Sequence, residues 1–161
     1  MVENPNKNIH YLQPTMIFVS EKPIVIQTIL GSCVSVCLWD KKLHIGGMNH
    51  YMLPFWNGVG LATPKYGNIA IEKLLDKMLL LGSKKRDLVA KTFGGGRVMQ
   101  SSLNGNFQIG MQNILIAEEM LKSEKIPIVS ENMGGTYGRK IQFYTHTGVV
   151  LHKLILKNNL N

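Results

Sequence analysis

Residues 33–40 read Cys-Val-Ser-Val-Cys-Leu-Trp-Asp, and their alternation decides how the rest of the chain divides. Val34, Val36 and Leu38 fall on one side of an extended segment, with Cys33, Ser35, Cys37 and Trp39 on the other. That period of two marks a β-strand. Lys41-Lys42 supplies a turn, and residues 44–53 return as a second strand that stops at Pro54. On the N-terminal side, Gly31-Ser32 separates residues 33–40 from two short runs rich in Ile, Val and Thr, 16–20 and 24–30. Glu21-Lys22-Pro23 joins these runs, and they read as paired strands. Residues 1–14, polar and rich in Asn and Pro, read as an irregular segment.

Beyond the glycine-containing loop 55–64 the period changes. Ile71, Leu74, Leu75, Met78 and Leu79 form the stripe of an amphipathic helix, with Gly82 as its stop. Residues 88–93 read as a strand running into Gly94-Gly95-Gly96. A second helix spans 109–123, with Ile114, Ala117, Met120 and Leu121 facing inward. Strands at 126–130, 139–145 and 149–156 complete the chain, with turns at Gly134-Gly135 and Thr147-Gly148. Two helices and seven or eight short strands predict an α+β layered domain, its helices covering one face of mostly antiparallel sheet.

The 161 residues suit one domain, and 45% hydrophobic against 17% charged residues is enough to build a core. No apolar run reaches the ~18 residues of a membrane span, and the N-terminus lacks a secretory h-region, so a cytoplasmic protein without membrane insertion is expected. Lys and Arg outnumber Asp and Glu by 18 to 10, for a net charge of +8. That balance favours acidic partners. The basic residues are scattered, aromatics are only 7%, and nucleic acid is therefore not the expected partner. Two cysteines make no disulfide framework.

Two residues carry candidate chemistry. A small-residue turn, Gly31-Ser32, ahead of Cys33 exposes a thiol and leaves backbone N–H groups facing a bound carbonyl, as thiol attack on an acyl carbon requires. The same residue type also serves as a small packed hydrophobe. His50 follows 17 residues later, the distance of a strand, a turn and a returning strand, so an antiparallel pair can bring imidazole and thiol together. A core histidine is the plainer alternative. A zinc set of Cys33, Cys37, His44 and His50 fails on geometry, because four residues of strand separate the thiols by roughly 13 Å. No nucleotide-binding glycine motif is present in Gly94–Gly96, and these glycines suit tight loops around a catalytic strand.

Thr28-Ile29-Leu30-Gly31-Ser32-Cys33-Val34, followed by Gly46-Gly47-Met48-Asn49-His50-Tyr51-Met52-Leu53-Pro54, resembles the chemoreceptor glutamine deamidase family, CheD. The resemblance continues through Lys65-Tyr66-Gly67, Lys91–Gly96, Ile109-Gly110 with Asn113, Gly134-Gly135, Gly138-Arg139-Lys140, Phe143 and Thr147-Gly148. It runs from about residue 11 to about residue 150. Gln112, where an Arg commonly stands, and Asn132-Met133, where an acidic residue and a Thr often precede the glycine pair, depart from the pattern.

The resemblance implies a three-layer α/β/β sandwich, a single CheD-like deamidase domain over 1–161. It also implies hydrolysis of glutamine amides on methyl-accepting chemotaxis receptors to glutamate and ammonia. Cys33 matches the family's nucleophile and His50 its base. The third member, a threonine that orients the histidine, falls on Thr28, with Gln27 as the other register. The chemistry calls for no cofactor and no metal. A CheC-type phosphatase is an implied partner, so a non-enzymatic adaptor is a competing reading, as is a receptor methylesterase using the same thiol. A basic face would speed encounter with acidic receptor helices, making association salt-sensitive.

Overall fold

A computed structural model describes residues 8–97 and 105–156, the side chains of 105–107 excepted. Among the described residues, nine strands and two α-helices follow one another: β1 (Ile9–Tyr11), β2 (Ile17–Ser20), β3 (Val25–Leu30), β4 (Val34–Asp40), β5 (Ile45–Asn49), α1 (Gly67–Leu80), β6 (Leu88–Gly94), α2 (Gly105–Ser123), β7 (Ile128–Met133), β8 (Gly138–Tyr144) and β9 (Val150–Ile155). They form two sheets, a five-stranded one in the order β2-β5-β4-β6-β7 and a four-stranded one in the order β1-β3-β8-β9. All neighbours are antiparallel except β1 with β3 and β6 with β7.

The alternation of residues 33–40 is realised as a division between two cores. Val34, Val36 and Leu38 pack with Ile71, Leu74, Leu75 and Met78 of α1 and Ala117 and Leu121 of α2. On the opposite face Cys37, with Met48 of β5 and Phe93 of β6, meets Ile26, Leu30, Ile141 and Phe143 of the four-stranded sheet. The five-stranded sheet is thus the middle of three layers, buried on both faces around β4. This is the α/β/β sandwich that the resemblance implies. Of the α1 stripe, Ile71, Leu74, Leu75 and Met78 are buried and Leu79 is half-buried, and Gly82, at φ 104°, closes the helix with its N–H on Leu79 O.

Two expectations need correction. The runs 16–20 and 24–30 are not a strand pair: β2 pairs with β5, whereas β3 pairs with β1 and β8, in the other sheet. The reason lies in the link. Thr145, just past β8, accepts the Ile24 N–H at 3.0 Å and donates to Lys22 O at 2.8 Å, while its own N–H reaches Ile24 O. The link is captured and led across to the second sheet instead of closing a hairpin. The N-terminal stretch is also not irregular throughout. Residues 1–7 lie outside the described residues, but Ile9–Tyr11 form a parallel edge strand on β3. Leu12 is buried in the inter-sheet core, and His10 stacks on Phe18 with ring centroids 3.8 Å apart.

Candidate active site

The turn Gly31-Ser32-Cys33 carries the chain from β3 in one sheet to β4 in the other, so Cys33 stands at the seam between the sheets, half-buried. A glycine strap underlies it. The Gly95 N–H donates to Cys33 O and the Gly96 N–H to Gly31 O, both at 2.9 Å. A Cβ at Gly94 would lie 2.1 Å from Cys33 O, and one at Gly96 would lie 2.4 Å from Tyr137 O. Only glycine permits so close an approach. Arg139, 3% exposed, braces the strap from behind, donating to Gly134 O (2.6 Å), Tyr137 O (3.3 Å) and Gly94 O (3.4 Å). Its Nε donates to Asn132 Oδ1 at 2.6 Å, so the departure at Asn132 leaves a neutral acceptor facing this guanidinium. Gln112 is exposed on α2.

His50 follows β5 directly. Here the β4–β5 ladder is interrupted: Asn49 Oδ1, instead of a backbone carbonyl, accepts the Val36 N–H at 2.8 Å. The pairing resumes at Val34 and Tyr51, which exchange both backbone bonds in the register set by Cys37 and Met48. That register puts His50 across from Ser35 and diagonal to Cys33, on the same face. Diagonal cross-strand neighbours have Cβ atoms about 7 Å apart or less, within reach of a thiol and an imidazole.

Thr28 meets His50 from the other sheet, its Oγ1 2.7 Å from Nδ1. Gln27 does not; its carboxamide oxygen accepts from Gln142 Nε2 at 2.8 Å. The Thr28 hydroxyl has one proton and donates it to Leu12 O at 2.9 Å. The Nδ1 must therefore be the donor in the Thr28–His50 bond, which leaves Nε2 without a proton and able to accept one. Burial pulls the His50 pKa down to about 4, so the ring is neutral near pH 7. Burial pushes the Cys33 thiol up, and its own backbone N–H, lying against the sulfur, draws it only part of the way back. The resting pair is an uncharged thiol and an uncharged imidazole, suited to moving one proton as a bond to sulfur forms.

A cleft of about 230 Å³ opens on the Thr28–His50 contact, walled by Leu12, Gln13, Pro14 and Ile29. Cys37 lies apart in the inter-sheet core, where burial raises its thiol pKa far above the usual range. Among the described residues, no three His, Cys, Asp or Glu side chains are grouped as metal ligands, and no helix is long and apolar enough to cross a membrane. Three contributors had no role assigned from sequence. Leu12 acts through a backbone carbonyl, which leaves no trace in side-chain identity. Arg139 and Asn113 stood only as matched positions without a role, and Asn113 Nδ2 donates to both Ser32 O and Met52 O at 3.0 Å.

Fold and site together define a class: an α/β/β sandwich with a threonine-held histidine diagonal in register to a half-buried thiol at the seam of its sheets. The family model described as CheD chemotactic sensory transduction matches residues 52–154. A probable chemoreceptor glutamine deamidase CheD of Sulfurimonas denitrificans is 48% identical over 147 residues, 91% of this chain and 94% of that one. Those of Trichlorobacter lovleyi and Rhodospirillum rubrum, named likewise, are 49% identical over 88% of this chain and 88% of theirs, and 41% identical over 90% of this chain and 81% of theirs. The chain belongs to the CheD family.

Proposed function

We propose that this protein deamidates glutamine side chains of methyl-accepting chemotaxis receptors through a thioester on Cys33. His50 Nε2 takes the thiol proton as sulfur adds to the amide carbon. The same proton then passes to the departing nitrogen, which leaves as ammonia. Water, deprotonated by His50, adds to the thioester; the carbon–sulfur bond breaks, the sulfur regains the proton from His50, and glutamate is released with the thiol restored. Thr28 holds the ring in the tautomer that both half-reactions need. The Cys33 N–H, facing the sulfur, is the donor for the oxyanion formed in each addition.

The observation that carries this reading is the directional chain from His50 Nδ1 through Thr28 to Leu12 O, which leaves Nε2 as the free base. An adaptor has no use for it. The protein acts in the cytoplasm as one deamidase domain, on the cytoplasmic helices of the receptors, and a CheC-type phosphatase is its regulatory partner. The test is incubation with receptor cytoplasmic fragments, following ammonia release and mapping converted glutamines by mass spectrometry. Cys33→Ala and His50→Ala are expected to abolish release while retaining the fold. A folded Cys33→Ala protein with normal turnover would refute the assignment.

A further inference from the structure

Asn113, in the middle of α2, is fully buried and joins the two strand ends that carry Cys33 and His50. Its Nδ2 gives one proton to Ser32 O and the other to Met52 O, each at 3.0 Å. Its backbone carbonyl accepts from the Tyr51 hydroxyl at 2.5 Å. Its Oδ1 has no partner among the described residues, so the two donors are what the side chain contributes.

The Ser32 carbonyl belongs to the peptide unit whose N–H is that of Cys33. A trans, planar peptide directs its C=O and N–H to opposite sides, so pinning the oxygen on the helix side fixes where the hydrogen points. A bond accepted by the carbonyl also polarises the unit and strengthens its N–H as a donor. We propose that Asn113 is a positioning residue that orients and polarises the Ser32–Cys33 peptide so its N–H receives the oxyanion formed when sulfur adds to the substrate amide. The same side chain, through Met52 O, keeps the strand of His50 in register with that peptide. The inference rests on the deamidase reading and gives α2 a part in it.

The test compares Asn113→Ala and the isosteric Asn113→Asp with Leu121→Ala, a buried packing residue of the same helix. Two rates are measured for each: ammonia release from a receptor fragment, and alkylation of Cys33 by iodoacetamide. Alkylation consumes the thiol but forms no oxyanion. Both Asn113 variants are expected to lose turnover on the order of 100-fold, the effect of removing one oxyanion donor, with KM unchanged and alkylation near the wild-type rate. Leu121→Ala is expected to lower thermal stability and leave both rates unaltered. Near-normal turnover in a folded Asn113 variant, or turnover and alkylation falling in parallel, overturns the inference. A wild-type protein that deamidates no receptor fragment strikes the deamidase reading itself and takes the inference with it.

Discussion

Thr28 decides the protonation of a ring it only touches. Its single proton goes to Leu12 O, so it can meet His50 only as an acceptor. Thr28→Val keeps the shape and removes that acceptor, and is expected to lower kcat roughly 10- to 100-fold, a share of what a positioned acid–base group supplies. Thr28→Ser should keep most of the rate; steady-state kinetics on a receptor fragment would tell them apart. The buried ring also leaves a mark on stability. The His50 pKa is about 4 in the folded protein and near 6.5 when unfolded, so between these values the unfolded chain binds the extra proton. Stability contributed by the neutral ring is full above pH 6.5 and falls as the pH drops toward 4, by up to about 3 kcal/mol. Denaturant unfolding of wild type and His50→Gln at pH 7 and pH 4.5 should show the difference narrowing in acid. Cys33 and His50 were legible because each sits in a short distinctive motif. Thr28 was legible only to within a residue, since spacing cannot say which of two neighbours on a strand turns toward the ring. Leu12 was not legible, because its contribution is a carbonyl.

At the scale of elements, helices were easier to read than sheet neighbours. The stripe of α1 is a local property, fixed by 3.6-residue spacing: Ile71, Leu74, Leu75 and Met78 are buried as expected, with Leu79 half-buried at its edge. Alternation identifies a strand but not its partner: β2 and β3, four residues of link apart, read as a pair in sequence, whereas Thr145 turns them into different sheets. The glycine strap after β6 was legible as a tight loop but not as the bed of the Cys33 turn, which depends on the β4–β6 register. Gly94 tests that role. It combines φ 113° with no room for a side chain against Cys33 O, whereas Gly60, at φ 76°, has open space around it. Gly94→Ala is expected to destabilise the protein by more than the ~1–3 kcal/mol of backbone strain alone and to displace the Cys33 turn, with loss of turnover. Gly60→Ala should cost strain only and leave turnover unchanged. Thermal unfolding with an ammonia assay separates the two.

For the whole molecule, the organising feature is that the candidate site is shared between layers. Thr28 comes from the four-stranded sheet, His50 from the five-stranded sheet, Cys33 from the turn between them, and Asn113 from the helical layer. Packing of Ile26, Leu30, Met48, Phe93, Ile141 and Phe143 between the sheets therefore sets the distances on which the proposed chemistry depends. Periodicity alone gives α+β; the order of layers came from the resemblance, and strand order only from the structure. The central claim is that the Cys33 sulfur forms an acyl bond to a receptor side chain. Acid-quenched turnover mixtures, analysed by intact-protein mass spectrometry, test it directly. A covalent conjugate of chain and receptor fragment, attached at Cys33 and cleaved by hydroxylamine, is expected. Absence of any conjugate, together with ammonia release at the wild-type rate from folded Cys33→Ala, would contradict it.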